Sequence, residues 1–156
     1  MSAHLGLSAP VLAPLSPVTG TFALPFTAYF SFLSFRVVSN RLSDKAYLGD
    51  NSSKSSDPAE RNQNKLYLAT RSHQNFIENV PLALVLAAVA ELNGGNRKAL
   101  TGVLGTLFVL RVLHAELGMM GNGMGTGRPI GYFGTLATLG GLAGYAAYLV
   151  KAYWGF

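Results

Sequence analysis

The sequence predicts an all-α protein, an integral membrane four-helix bundle, and three observations carry that prediction. Only 12% of the 156 residues are charged while 49% are apolar, and mean hydropathy is +0.29; soluble domains carry about a quarter charged residues. The apolar residues are gathered into long runs, which a soluble core does not require. The cations are gathered as well. Seven of the twelve Lys and Arg fall between Arg36 and Arg71, interleaved with Asp44, Asp50, Asp57 and Glu60, as in a charged loop leaving a bilayer. A chain of this length forms one domain.

The first run, Val11 to Phe35, carries no charge. Pro10, Pro14 and Pro17 delay the helix start, so a first span is expected over 17–35, bent at Pro25, with Arg36 and Arg41 at the headgroups. No Lys or Arg precedes Arg36, so the basic region of a signal peptide is missing and an uncleaved span is expected. The polar stretch 42–64 reads as a surface loop. Near its end Asp57 and Pro58 have the character of an N-cap and a first helical residue. A second helix is therefore expected over 58–92, with its membrane span over 75–92. That span has eighteen residues, about 27 Å of helix and enough to cross. Asn93-Gly94-Gly95-Asn96 stops it.

A third helix is expected over 99–117, interrupted by Arg111, His114 and Glu116. Five glycines from Gly118 to Gly127 predict a loop. The fourth helix, 129–150, is free of charge, and Lys151, Tyr153 and Trp154 mark its interface. Loop charge places 42–64 and the glycine-rich segment on the cytoplasmic side, and both termini with the Asn93–Lys98 turn on the other. Gly102 and Gly105, with Gly140 and Gly144, are small residues of the kind that let membrane helices approach or oligomerise, though glycine is also simply common there.

Several function classes drop out early. The basic stretch lacks the aromatic interleaving of a nucleic-acid surface, so no nucleic-acid partner is expected. The chain has no cysteine, which removes disulfides, thiolate metal sites and a sulfur nucleophile of its own. No metal is expected, and any thiol chemistry must use a thiol brought by a cofactor.

The polar residues inside the apolar runs form a pattern. Arg71, Asn75 and Glu78 fall at 0°, 40° and −20° around a helix, one narrow stripe. A carboxylate one turn inside the bilayer costs about 2–3 kcal/mol unless it meets protein, water or a cation, so the stripe is expected to point inward. Arg111 and His114 make a second pair on the third helix. An Arg111–Glu78 ion pair that only fixes packing is one reading of these residues, and a functional site is the other. His73 lies off the stripe, where a hydrogen bond to a neighbouring helix end is the plainer reading, as it is for His114. Arg128 opens the fourth helix with Tyr132 one turn on. It is either an interfacial anchor or a guanidinium that lowers the pKa of a nearby thiol and stabilises its thiolate. Tyr132 can donate a hydrogen bond to a thiolate or an oxyanion.

The run Arg71-Ser72-His73-Gln74-Asn75-Phe76-Ile77-Glu78-Asn79-Val80-Pro81 resembles the signature R-x-H-x-N-x-x-E-x-x-P on helix 2 of the MAPEG family, the membrane-associated proteins of eicosanoid and glutathione metabolism. Glu91-Leu92-Asn93-Gly94, Arg111-Val112-Leu113-His114, and Arg128 with Tyr132 extend the likeness in matching order. Leu48-Gly49-Asp50 is similar to the bacterial-type branch. The resemblance implies a four-helix protomer in a homotrimer, with glutathione held between subunits near the cytoplasmic face. It assigns glutathione binding to Arg71, Asn75, Glu78 and Arg111, with Arg36 and His73 beside them, and thiol activation to Arg128 with Tyr132.

Glutathione, as co-substrate, would bring two carboxylates, an ammonium and the thiol this chain lacks. Its partner would be an apolar electrophile or lipid hydroperoxide arriving from membrane lipid. The implied activity is a membrane-bound glutathione transferase or peroxidase, in the endoplasmic reticulum or another intracellular membrane if the cell is eukaryotic. Asn79 stands where the leukotriene-synthase-like branch has tyrosine. Ala115 and Gly118 stand where some members have a hydroxyl residue and a tyrosine, so leukotriene or prostaglandin synthesis is not implied. The alternative is a non-catalytic scaffold that binds lipid or a partner and uses the same polar core for packing. A small channel or transporter fits less well, because no span beyond the second combines a broken helix with an acidic residue.

Overall fold

The computed structural model describes residues 14–49, 57–61, 63–121 and 125–155. The expected roles of Pro10 and Val11, of the 50–56 part of the polar loop including Asp50, and of residues 122–124 lie outside them. Among the described residues four long helices make up the fold: α1 (Pro17–Ser43), α2 (Lys65–Leu92), α3 (Arg97–Leu113) and α4 (Gly127–Leu149). A single helical turn, Pro58–Arg61, precedes α2, and a 3-10 turn, Lys151–Trp154, follows α4. The chain is an all-α membrane bundle. α1, α2 and the continuous helix Arg97–Met119 are each long and apolar enough to cross a membrane. α4 is not among them, because glycine, threonine and tyrosine dilute its apolar content over 23 residues.

The boundaries differ from the sequence reading in three places, each with a local cause. α1 does not end at Phe35 but runs on to Ser43, because residues 36–43 hold no glycine or proline to stop it, and Arg36 there pairs with Glu116. The helix expected to start at Pro58 is broken after one turn, and Asn64 starts it again by accepting a hydrogen bond from Tyr67 N at 2.9 Å. Asp57 caps only the short turn, accepting from Ala59 N at 2.9 Å. Past Leu113 the third helix widens into a π-helix, His114–Met119, which takes up the start of the glycine-rich stretch expected to be loop.

α1 packs on α2, and α4 packs on both α2 and α3. The core is built from Phe26 and Leu33 of α1, Leu100, Leu104 and Leu107 of α3, and Leu142 of α4. From α2 it takes Phe76 and Val80 and then only the small Ala83, Ala87 and Ala90, which let neighbouring backbones approach. Phe26, Tyr29, Phe76 and Phe108 meet mostly edge to face, with centroids 5.4–6.2 Å apart. Large apolar side chains such as Leu24, Phe35, Leu82 and Phe133 stand exposed on the outside. In water that would be a liability, and in lipid it is the expected surface.

Polar contacts tie α1 down at both ends. At the end carrying the Asn93–Asn96 turn, Ser16 provides no side-chain cap. The buried carboxylate of Glu91, on α2, replaces it by accepting from Val18 N at 2.8 Å, Thr19 N at 2.9 Å and the Thr19 hydroxyl at 2.9 Å. A negative charge there meets the unsatisfied N–H groups and the positive end of the α1 dipole together. Arg97 stands 3.9 Å away. Glu91→Ala should therefore cost about 1–3 kcal/mol by orphaning buried donors. The check is the thermal midpoint of purified protein in detergent: a clear drop for Glu91→Ala, a smaller one for Glu91→Gln, and no change only if the cap is unimportant.

Candidate functional site

The opposite end of the bundle, where the α1–α2 and α3–α4 connections lie, holds the polar residues. Its architecture starts from a close crossing of α3 and α4. A Cβ on Gly118 would lie 2.6 Å from Arg128 N, and one on Gly131 would lie 2.9 Å from the Leu110 carbonyl oxygen and against His114. A Cβ on Gly134 would lie 2.8 Å from Leu110 side-chain carbons. The two backbones touch here because these positions carry no side chain. Position 118 has no room for a side chain of any size.

Arg111 runs through this crossing. It is 3% exposed, and its two Nη groups donate to Asn75 Oδ1 on α2 and to the Gly131 carbonyl on α4. Its Nε has no hydrogen-bond partner. Because a guanidinium only donates, Asn75 must present its oxygen to Arg111, which leaves its NH2 as the group it offers elsewhere. His114 makes a parallel contact: Nδ1 lies 3.0 Å from the Arg128 carbonyl oxygen, so Nδ1 carries the proton. Arg111 and His114 together hold the first turn of α4 by its own carbonyls.

That first turn forms one wall of a cleft of about 410 Å3, within the usual range for small-molecule sites. Arg71, Asn75 and Glu78 line it from α2, His114 from the π-helix, and Arg128 and Tyr132 from α4. Met119 and Phe133 add apolar surface. Arg71 Nη1 donates to Gln74 Oε1 at 3.1 Å. The three-residue stripe read from helical spacing does converge with the α4 pair. Within the stripe Asn75 turns inward to Arg111, while Arg71 and Glu78, with Arg128 and Tyr132, are exposed along an open groove.

Three other expected site residues sit apart from this cleft. Arg111 lies beneath it and holds Asn75, and the Arg111–Glu78 ion pair considered above does not form. Among the described residues Glu78 makes no ion pair. Arg36 grips Glu116 with both Nη groups, the longer contact being 3.1 Å, while its guanidinium stands 4.6 Å over the Phe32 ring. Tyr29 donates to the same carboxylate at 2.7 Å. His73 packs on Phe30, ring centroids 5.1 Å apart, and its buried Nε2 meets no partner. The hydrogen bond to a helix end expected for His73 is therefore absent.

The hydrogen bond to a neighbouring helix end expected for His114 is present, to the first turn of α4; sequence reasoning missed the parts played by Glu116 and Glu91. The signal for the two acids was present, an acidic residue inside or ending an apolar run. The helices they would meet could not be read from spacing. Among the described residues no cluster of three His, Asp or Glu could hold a metal ion.

The cleft, the buried arginine and all but the outermost residues of the four helices fall within one comparison. A family model, that of the MAPEG family, matches residues 19–148. The chain belongs to the MAPEG family. No curated protein and no solved structure matches it. Membership places it among membrane-associated proteins of the glutathione and eicosanoid type, and every residue lining the cleft lies inside the matched range. The Gly118 contact gives this MAPEG chain a physical reason for its missing helix-3 side chain.

The crossing predicts a contrast between two identical changes in α4. Gly131→Ala should lower the thermal midpoint, by the equivalent of about 1–3 kcal/mol, because its methyl meets backbone. Gly144→Ala has nothing within 4 Å of the new methyl and should be neutral or slightly stabilising. Equal midpoints for the two variants would contradict the tight crossing.

Proposed function

We propose that the protein is a membrane-bound glutathione transferase, with peroxidase activity toward lipid hydroperoxides, and that the α2–α4 cleft is its glutathione site. The single observation that carries this reading is the set of groups in that cleft. Two guanidiniums, a donor amide, a carboxylate and a phenol converge on one small-molecule-sized space, in a MAPEG chain without a cysteine of its own. Glutathione is the complement of that set. Arg71 suits a carboxylate through its planar fork, and Asn75 offers its NH2 beside it. Glu78 suits the α-ammonium. Arg128, at the start of α4, stabilises the thiolate, and Tyr132 donates to the thiolate or to charge that develops on the electrophile. Arg111 acts through Asn75 and the Gly131 carbonyl.

Thiolate attack on an electrophile forms the carbon–sulfur bond and expels the leaving group. With a hydroperoxide, two glutathione molecules are oxidised to the disulfide while the hydroperoxide is reduced to alcohol and water. The apolar partner reaches the thiolate from the bilayer, where partitioning concentrates it.

Glu78 also supports a homotrimer. A carboxylate on an open groove of a membrane bundle is costly until protein or ligand covers it, and a neighbouring chain would do so. Arg36 and His73 lie outside this chain's own cleft, and a role in glutathione binding would require them to face a neighbour's site in that assembly. In this proposal all four helices cross. α4 is about 34 Å long at 1.5 Å per residue, enough for the hydrocarbon core. The cation-rich α1–α2 loop faces the cytoplasm, and in a eukaryotic cell the membrane is the endoplasmic reticulum or another intracellular one.

A non-catalytic scaffold is the second reading, favoured by Ala115 and Gly118, which leave helix 3 without a hydroxyl near the cleft. Arg128→Leu separates the two. Conjugation of glutathione to 1-chloro-2,4-dinitrobenzene should fall at least about 100-fold, the size of loss seen when a charge-stabilising donor is removed. Glutathione binding should stay within a few-fold. Unchanged turnover would reject Arg128 as the activating group, and absence of turnover in the native chain would favour the scaffold.

A further inference from the structure

α3 and α4 touch at one end and part at the other. The tight contacts at Gly118, Gly131 and Gly134 have no counterpart further along, where a Cβ on Gly102, Gly140, Gly141 or Gly144 would meet nothing within 4 Å. The result is a wedge-shaped groove of about 810 Å3 that starts at Leu110 and Gly134 and opens toward Lys98 and Tyr145. It is separate from the polar cleft and shares no lining residue with it.

We propose that this groove holds the acyl chains of one anionic phospholipid from the leaflet at the Asn93–Asn96 end. Its length supports that occupant. Lys98 and Leu110 are twelve positions apart, about 18 Å of helix, close to one leaflet of a hydrocarbon core about 30 Å thick. Its capacity supports it too: a volume of about 810 Å3 spread along that length is room for extended hydrocarbon chains.

The walls are almost wholly apolar. The Thr138 hydroxyl is already spent on the Gly134 carbonyl at 2.8 Å, and Tyr145 OH accepts from Asn96 N at 2.8 Å. Lys98 stands at the open end, and among the described residues it makes no ion pair. An ammonium at headgroup depth, above a slot one leaflet deep, is complementary to a phosphate group above its tails.

The test counts lipids on the assembled protein by native mass spectrometry, after exchange into equal amounts of phosphatidylglycerol and phosphatidylcholine. The native protein should retain one phosphatidylglycerol per chain. Gly141→Leu fills the slot from a position with open space, so the bundle should fold, and it should lose that lipid. Lys98→Glu leaves the slot intact and should lower retention of phosphatidylglycerol relative to phosphatidylcholine by about five-fold or more. Retention by both variants at the native level would overturn the proposal. A change in the number of chains per assembly for Gly141→Leu, with lipid unaffected, would mean that a second copy fills the groove, and would overturn it as well.

Discussion

The guanidinium of Arg111 is the interaction on which the rest of the loop end depends. A cation deep in a membrane bundle costs about 2.5–3.5 kcal/mol even on the lenient insertion scales, and Arg111 makes no ion pair among the described residues. Instead it meets an amide oxygen on α2 and a backbone carbonyl on α4, so its charge is stabilised by dipoles that only this packing brings together. The arrangement works in one geometry. Gly131 must lack a side chain for α4 to come close enough to offer its carbonyl, and Asn75 must turn its oxygen inward. With those conditions met, three helices are held at a single point, and the outer faces of α2 and α4 are left as the two walls of a cleft.

The same economy governs α1, which has no charged residue before Arg36. Glu91 binds its first N–H groups and Glu116 binds Arg36 near its far end, while aromatic rings fill the middle. Both acids come from other helices. A helix with a nearly featureless apolar surface is thus given a fixed depth by two carboxylates rather than by shape alone. Such contacts matter more in lipid than in water, because burying apolar surface does not distinguish a partner helix from an acyl chain.

Much of the cleft was legible in the sequence, and for a definite reason. Residues on one helix share a face by spacing alone, so Arg71, Asn75 and Glu78 could be grouped without a structure. Arg128 and Tyr132 follow the same rule on α4. Spacing gives no azimuth between helices, however, and there the reading ran out. It offered Arg111 an ion pair with Glu78, whereas Arg111 turns to Asn75. It gave Arg36 no partner on another helix, whereas Arg36 turns to Glu116. The glycine-rich stretch misled in another way. Glycine breaks helices in water, but the same missing side chain lets a π-widened turn at Gly118 lie against α4, so helix persists where a loop was expected.

The central claim is that the cleft between α2 and α4 binds glutathione and holds its sulfur as thiolate. Its most direct test is a titration of the purified, detergent-solubilised protein with glutathione near neutral pH, following thiolate absorbance in the ultraviolet. The account predicts a saturable rise at micromolar to low millimolar ligand, well below the free thiol's usual pKa of about 8.5. No saturable signal at millimolar glutathione, together with no binding by equilibrium dialysis, would contradict it and leave the polar cleft as a packing feature.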